Sequence, residues 1–208
     1  MNIFKKGDYK PIPPSFRAKG IFALEELTKF QEEFDNYDTD TTINEIRDAI
    51  VANYLGFDLL NFAKHGFDAK NRKKRKFLEV KQCSIFSNRL GGTWNDTNEE
   101  KAKAFSDKRL YTTVGIWKGA SDLQFIVFGQ HIELGKYLLK RVRAVANTST
   151  RSTQNIDITK MIKEWGFSVV IPPDKTKHFV YKLLVNYKSS FGNILTLTDL
   201  KRLKDVRI

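Results

Sequence analysis

Residues 66–84, GFDAKNRKKRKFLEVKQCS, constrain the fold more than any other stretch of this chain. From Phe77 to Ser84, Leu78 and Val80 alternate with Glu79 and Lys81, the period of two of a strand with one buried face. Glu79 and Lys81 therefore project together, while Leu78 and Val80 face the other way. Residues 66–70 read as a neighbouring strand carrying Asp68, and the turn between the strands holds Lys70, Arg72, Lys73, Lys74, Arg75 and Lys76.

Two carboxylates and an ammonium gathered at a sheet edge could hold a divalent metal and activate water against a phosphodiester. Asp68, ten intervening residues, then Glu79-Val80-Lys81 on an apolar strand resembles the PD-(D/E)xK nucleases, the superfamily that contains most type II restriction endonucleases. The resemblance rests on Asp68, Glu79 and Lys81, flanked by Gly66, Phe67 and Ala69. It departs from the family's pattern at Phe67, which stands in place of a proline that is often missing in the superfamily.

The resemblance implies an α/β fold with a mixed (α+β) sheet, a restriction-endonuclease-like αβββαβ core and here a C-terminal α/β extension. It implies Mg²⁺, with Mn²⁺ as a substitute, bound by Asp68, Glu79 and the Val80 carbonyl. Lys81 would stand by the attacking water, lowering its pKa or stabilising transition-state charge. Several relatives add a Glu from the helix before the sheet, and Glu45 lies in the corresponding helix. Glu45 also completes a capping box with Thr42. Both roles are open, and the plain alternative to the whole reading is a β-hairpin with a solvated charged face.

Charge points to an acidic partner. The 208 residues carry 36 Lys and Arg against 24 Asp and Glu, a net +12. Residues 1–66 have net charge −3, residues 67–94 +6 and residues 95–208 +9, so positive charge concentrates around the acidic pair. Double-stranded DNA is the partner inferred, with counterion release supplying affinity that falls with salt. The implied enzyme is a site-specific endonuclease acting as a homodimer, since symmetric cutting needs two active sites, with a companion DNA methyltransferase possible. A structure-directed, repair or homing nuclease of the same fold is the first alternative, and a non-catalytic DNA-binding protein the second. With 41% hydrophobic residues the chain is expected to be one nuclease domain. The single Cys83 and the lack of a long apolar run predict a soluble cytoplasmic protein.

Along the chain, residues 1–20 are expected as an extended arm, 21–130 as the catalytic core and 131–208 as a DNA-reading or dimerising extension. Helices are predicted over Ile21–Tyr37, with Leu24, Leu27, Phe30 and Phe34 on one face, and from Thr42 to Tyr54. Three short strands, Phe57–Phe62, Gly66–Lys70 and Phe77–Ser84, precede a loop at Gly91-Gly92. A third helix capped by Asp96 or Thr97 runs to Ser106, and strands Leu110–Lys118 and Leu123–Gln130 follow. Beyond them come a helix His131–Ala146, a polar loop Asn147–Asn155, a helix Thr159–Trp165, strands Phe167–Ile171 and His178–Tyr187, and a last helix from Thr198. Arg143, Arg151, Gln154 and Asn155 carry side chains suited to base edges, so this loop is either a DNA reader or an ordinary polar linker. His65, His131 and His178 are too scattered for zinc. Trp94, Trp117 and Trp165 suit core packing better than base stacking.

Overall fold

Strand β3, Lys76–Ser84, organises the molecule because its two faces differ chemically, and helices cover both. The computed structural model describes residues 13–33, 41–60, 67–71, 73–130 and 132–206. Residues 1–12, 34–40, 61–66, Arg72, His131 and 207–208, and the side chains of Phe30, Gln31, Thr41, Thr42 and Glu45, lie outside the described residues. The described chain runs α1 (Pro14–Glu33), α2 (Thr41–Tyr54), β1 (Asp58–Leu59), β2 (Ala69–Asn71), β3, β4 (Gly91–Thr97), α3 (Glu99–Ala104), β5 (Leu110–Lys118) and β6 (Asp122–Gln130). It continues α4 (Ile132–Ala144), β7 (Ser152–Asp157), α5 (Ile158–Trp165), β8 (Ser168–Ile171), α6 (Lys177–Tyr187) and β9 (Lys201–Arg202).

The fold is mixed α/β. A seven-stranded open sheet has the order β1-β2-β3-β5-β6-β8-β9, and β4 pairs with β7 in a separate two-stranded ribbon. β1, β2 and β3 are antiparallel neighbours, whereas β5 lies parallel to β3. A parallel neighbour cannot be reached by a tight turn, which accounts for the crossover through β4 and α3.

Each sheet face has its own core. Leu78 and Val80 join Trp117 and Ile126 beneath Leu24 of α1 and Ile50 and Val51 of α2. Phe77, Val114, Ile116 and Phe125 pack on the other face against Phe105, Leu134 and Leu138, Met161 and Leu184. Among the described residues, no helix is long and apolar enough to cross a membrane.

Several segments differ from the sequence expectation. α1 starts at Pro14 rather than Ile21, so residues 14–19 are helical and not part of an extended arm. Proline suits that first position because its missing N–H would go unpaired there anyway. Gly91-Gly92 opens strand β4, and residues 152–155 of the expected loop belong to β7. α3 is capped by Asn98, whose side chain accepts from Lys101 N, and not by Asp96 or Thr97. Residues 177–187 form helix α6, with Val180 and Leu184 buried one turn apart, where a strand was expected. The expected C-terminal helix is replaced by β9 and a 3₁₀ turn at Leu203–Asp205.

Candidate active site

Asp68, just ahead of β2, sits where the antiparallel ladder onto β3 runs out. Its main-chain N–H donates to Leu78 O at 2.9 Å, and its carboxylate Oδ2 accepts from Val80 N at 2.7 Å. The side chain thus takes the place of the next strand residue as partner for Val80. A strand residue's N–H and C=O point to the same neighbour, so the Val80 carbonyl leaves β3 on the Asp68 side.

Glu79 and Lys81 share the opposite side-chain face from Leu78 and Val80, as the alternation predicts. Lys81 Nζ donates to Glu79 Oε1 at 2.6 Å, with 26% of the lysine and 10% of the glutamate side chain accessible. Burial pulls the Lys81 ammonium down, but Glu79, Asp68 and Asp48 outweigh it and hold the group above its ordinary 10.5. Lys81 is therefore a fixed cation at neutral pH. Gly92 of β4 crosses close over its stem. A Cβ at that position would lie 3.1 Å from Lys81 Cγ and 2.6 Å from the Trp94 ring.

The opposite face supplies a tether that sequence reasoning missed. Gln82 Nε2 donates to Asp48 Oδ1 of α2 at 2.7 Å, and Gln82 Oε1 accepts from Trp117 Nε1. Gly115, beside Gln82 on β5, leaves the room, since a Cβ there would stand 2.5 Å from Gln82 Oε1. Arg47, one residue before Asp48, donates to the Ala120 and Gly119 carbonyls and lies over the Trp117 ring at 5.1 Å. Burial pushes its guanidinium down to about 10, still charged at neutral pH. Asp48 lies one turn after Glu45 in α2, so an acidic residue on the helix before the sheet was the available signal.

Beyond Lys81 the chain lines a groove of about 690 Å³ between the end of β3, the following turn and the ribbon. Its walls include Asn88, Arg89, Thr93 and Asn155 and, among the described residues, no carboxylate. The expected DNA-binding residues divide among three places. Lys73, Lys74 and Arg75 are exposed on the β2–β3 turn, while Lys70 and Lys76 lie over the Phe77 and Tyr111 rings at 5.7 and 5.5 Å. That turn is at the far end of β3 from the groove, since Lys76 to Lys81 spans about 17 Å at strand rise. Arg143 pairs with Glu99 at 2.8 Å, and Gln154 turns inward to accept from Arg141 at 3.1 Å. Arg151 is exposed at the start of β7, and Asn155 is exposed on the ribbon, where its Oδ1 accepts from Thr93 Oγ1 at 2.7 Å. Trp94 and Trp117 are buried in the two cores and are not available for base stacking.

Among the described residues, no three His, Cys, Asp or Glu side chains stand together as a metal cage. A cation at Asp68 and Glu79 would take two carboxylates, the Val80 carbonyl, and water or substrate oxygens. That hard-oxygen, partly hydrated set suits Mg²⁺, which binds through one or two carboxylates and retains several waters. Comparison of the chain with protein-family models and with curated proteins finds no match.

Proposed function

We propose that the chain is a Mg²⁺-dependent endonuclease of the PD-(D/E)xK type that hydrolyses phosphodiester bonds in double-stranded DNA, and that it acts as a homodimeric site-specific restriction enzyme. The observation that carries this reading is the joining of Asp68, Glu79 and Lys81 through one stretch of β3: Asp68 bonds Val80 N at 2.7 Å, and Lys81 bonds Glu79 at 2.6 Å. The run of α2, three antiparallel strands, a crossover containing α3 and the parallel strand β5 supports the αβββαβ core, with β4 as an addition within the crossover.

In this reading Asp68 and Glu79, with the Val80 carbonyl, hold Mg²⁺. When bound, the ion neutralises phosphate charge and acidifies water. Lys81 does the rest as a cation. Because its proton is retained, it acts by donating a hydrogen bond and stabilising charge on the phosphoryl oxygens, not as a general base. Asp48 and Gln82 act through β3 as positioning residues.

A non-catalytic DNA-binding protein would use the same basic turn but has no need of a buried Glu79 carboxylate paired with the cation. Incubating the purified protein with a mapped plasmid, with Mg²⁺ and with EDTA, separates the two. Discrete Mg²⁺-dependent fragments are expected, and binding without any cutting under Mg²⁺ or Mn²⁺ would remove the nuclease reading.

A further inference from the structure

The β4–β7 ribbon stands outside the main sheet with its two faces sharply divided. Gly92, Trp94 and Thr97 of β4, and Ser152 and Ile156 of β7, are buried against the core. Thr93 and Asn95, and Thr153 and Asn155, are exposed on the other face. Thr93 lies opposite Asn155 in register, and the two are hydrogen-bonded at 2.7 Å. The fully exposed side chains of this outward face are hydroxyls and amides, and Asp157 at its end is half-buried as the cap of α5. The neighbouring Asp96, at the register shift between Trp94 and Thr97, adds a carboxylate with φ of 48°.

We propose that this ribbon enters the major groove of duplex DNA and that Thr93, Asn95, Thr153 and Asn155 read base edges there. The placement rests on the nuclease reading only in making Lys81 the cutting end of the same surface.

Shape, side-chain chemistry and hydrogen bonding all favour this placement. A two-stranded ribbon is one of the two elements a major groove about 12 Å wide admits. β4, seven residues long, is roughly 20 Å at strand rise, long enough to cross several base pairs. Phosphate is bound chiefly by cations, whereas neutral amides and hydroxyls with a lone carboxylate suit base edges. Asparagine pairs with adenine, aspartate accepts from cytosine, and threonine serves either a polar edge or the thymine methyl. Cations surround the face, at Lys81 and Arg89 in the groove, at Lys101, whose Nζ donates to the Asn95 main-chain oxygen at 3.1 Å, and at Arg151 just before β7. The Thr93 bond occupies one lone pair of Asn155 Oδ1. This sets which end of the amide donates, and so restricts the base edges it can match.

The test separates reading from cutting. The full chain is incubated in EDTA with a duplex library containing a randomised segment, and bound DNA is sequenced for the wild type, N155A, T153A and the double variant T93A/N155A. Circular dichroism and thermal melting report whether each variant keeps its fold, which exposed side chains should allow. Enrichment of a short consensus by the wild type is expected, with the variants losing preference at one or two adjacent positions. For N155A, affinity for the selected site over random DNA should fall about 5- to 100-fold, while random binding changes less than about twofold. A wild type that enriches no sequence, or folded variants that all keep the wild-type consensus, would overturn the ribbon. The same library with Mg²⁺ reports on cutting alone. A ribbon-dependent consensus without cleavage keeps this inference and discards the nuclease, and cleavage without a consensus does the reverse.

Discussion

Gln82 donates to Asp48 Oδ1 across 2.7 Å, which ties helix α2 to strand β3 one residue beyond Lys81. With Gln82 Oε1 accepting from Trp117, both ends of the amide are used. Asp48→Ala would leave the half-buried Gln82 amide without its acceptor. The expected cost is about 1–3 kcal/mol, against under about 1 kcal/mol for Asp48→Asn, which keeps an acceptor. Urea unfolding midpoints measure both. Equal midpoints for Asp48→Ala and the wild type would mean that the tether contributes nothing to the fold.

Asp68→Ala, Glu79→Ala and Lys81→Ala should each abolish Mg²⁺-dependent cleavage while leaving most DNA affinity, because phosphate contacts elsewhere hold the duplex. Lys81→Met should also destabilise by about 1–3 kcal/mol, between the exposed and the buried ion-pair limits, since it leaves the Glu79 carboxylate without its cationic partner. The pH dependence has a defined sign. Lys81 is raised in the folded state above 10.5, so its stabilising contribution is complete below that value and is lost only as pH climbs through the raised one. Cleavage rates from pH 6 to 10 should therefore show no descending limb that Lys81→Arg removes. An alanine variant of any of the three that cuts at near the wild-type rate would end the assignment of that residue.

What was legible in the chain follows from range. The alternation through Leu78, Glu79, Val80 and Lys81 is local, and strand β3 with its divided faces could be read directly. Asp68 was legible through its spacing from Glu79, although its bond to the Val80 N–H was not. The ribbon was hidden because its apolar signal is confined to Trp94 and Ile156, and the pairing of Thr93 with Asn155 spans 62 residues. The Asp48 tether had no local signal, its partner Gln82 lying 34 residues away. Helix α6 reads as a strand in sequence because Phe179, Val180 and Tyr181 are strand-favouring residues, while Val180 and Leu184, four apart, are the pair that is buried.

Lys73, Lys74 and Arg75 stand exposed on the hairpin turn, well along β3 from the groove, so their contribution should be to affinity and not to sequence choice. Replacing the three with Gln should make the slope of log K against log salt shallower by up to about 0.9 for each phosphate that is no longer neutralised. Arg75 also holds φ of 51°, a left-handed conformation that a non-glycine residue occupies at a cost. Arg75→Gly should therefore be neutral to about 1 kcal/mol stabilising, while shifting the salt slope in the same direction. An unchanged salt slope in the triple variant would mean that the turn faces away from DNA.

Thr112 of β5 is the register neighbour of Glu79, and in parallel strands such neighbours point to the same face. Its side chain is fully buried, and its Oγ1 has no hydrogen-bond partner among the described residues. A hydroxyl kept from water without a partner is a cost that a methyl group of nearly the same size would not carry. Thr112→Val should therefore raise stability by about 1 kcal/mol, which for a chain of this length is an increase of about 2–4 °C in Tm. Cleavage should be unchanged, because the buried oxygen does not reach solvent at the candidate site. A lower Tm together with abolished cleavage would instead mean that the hydroxyl serves Glu79, and would extend the site from β3 onto β5.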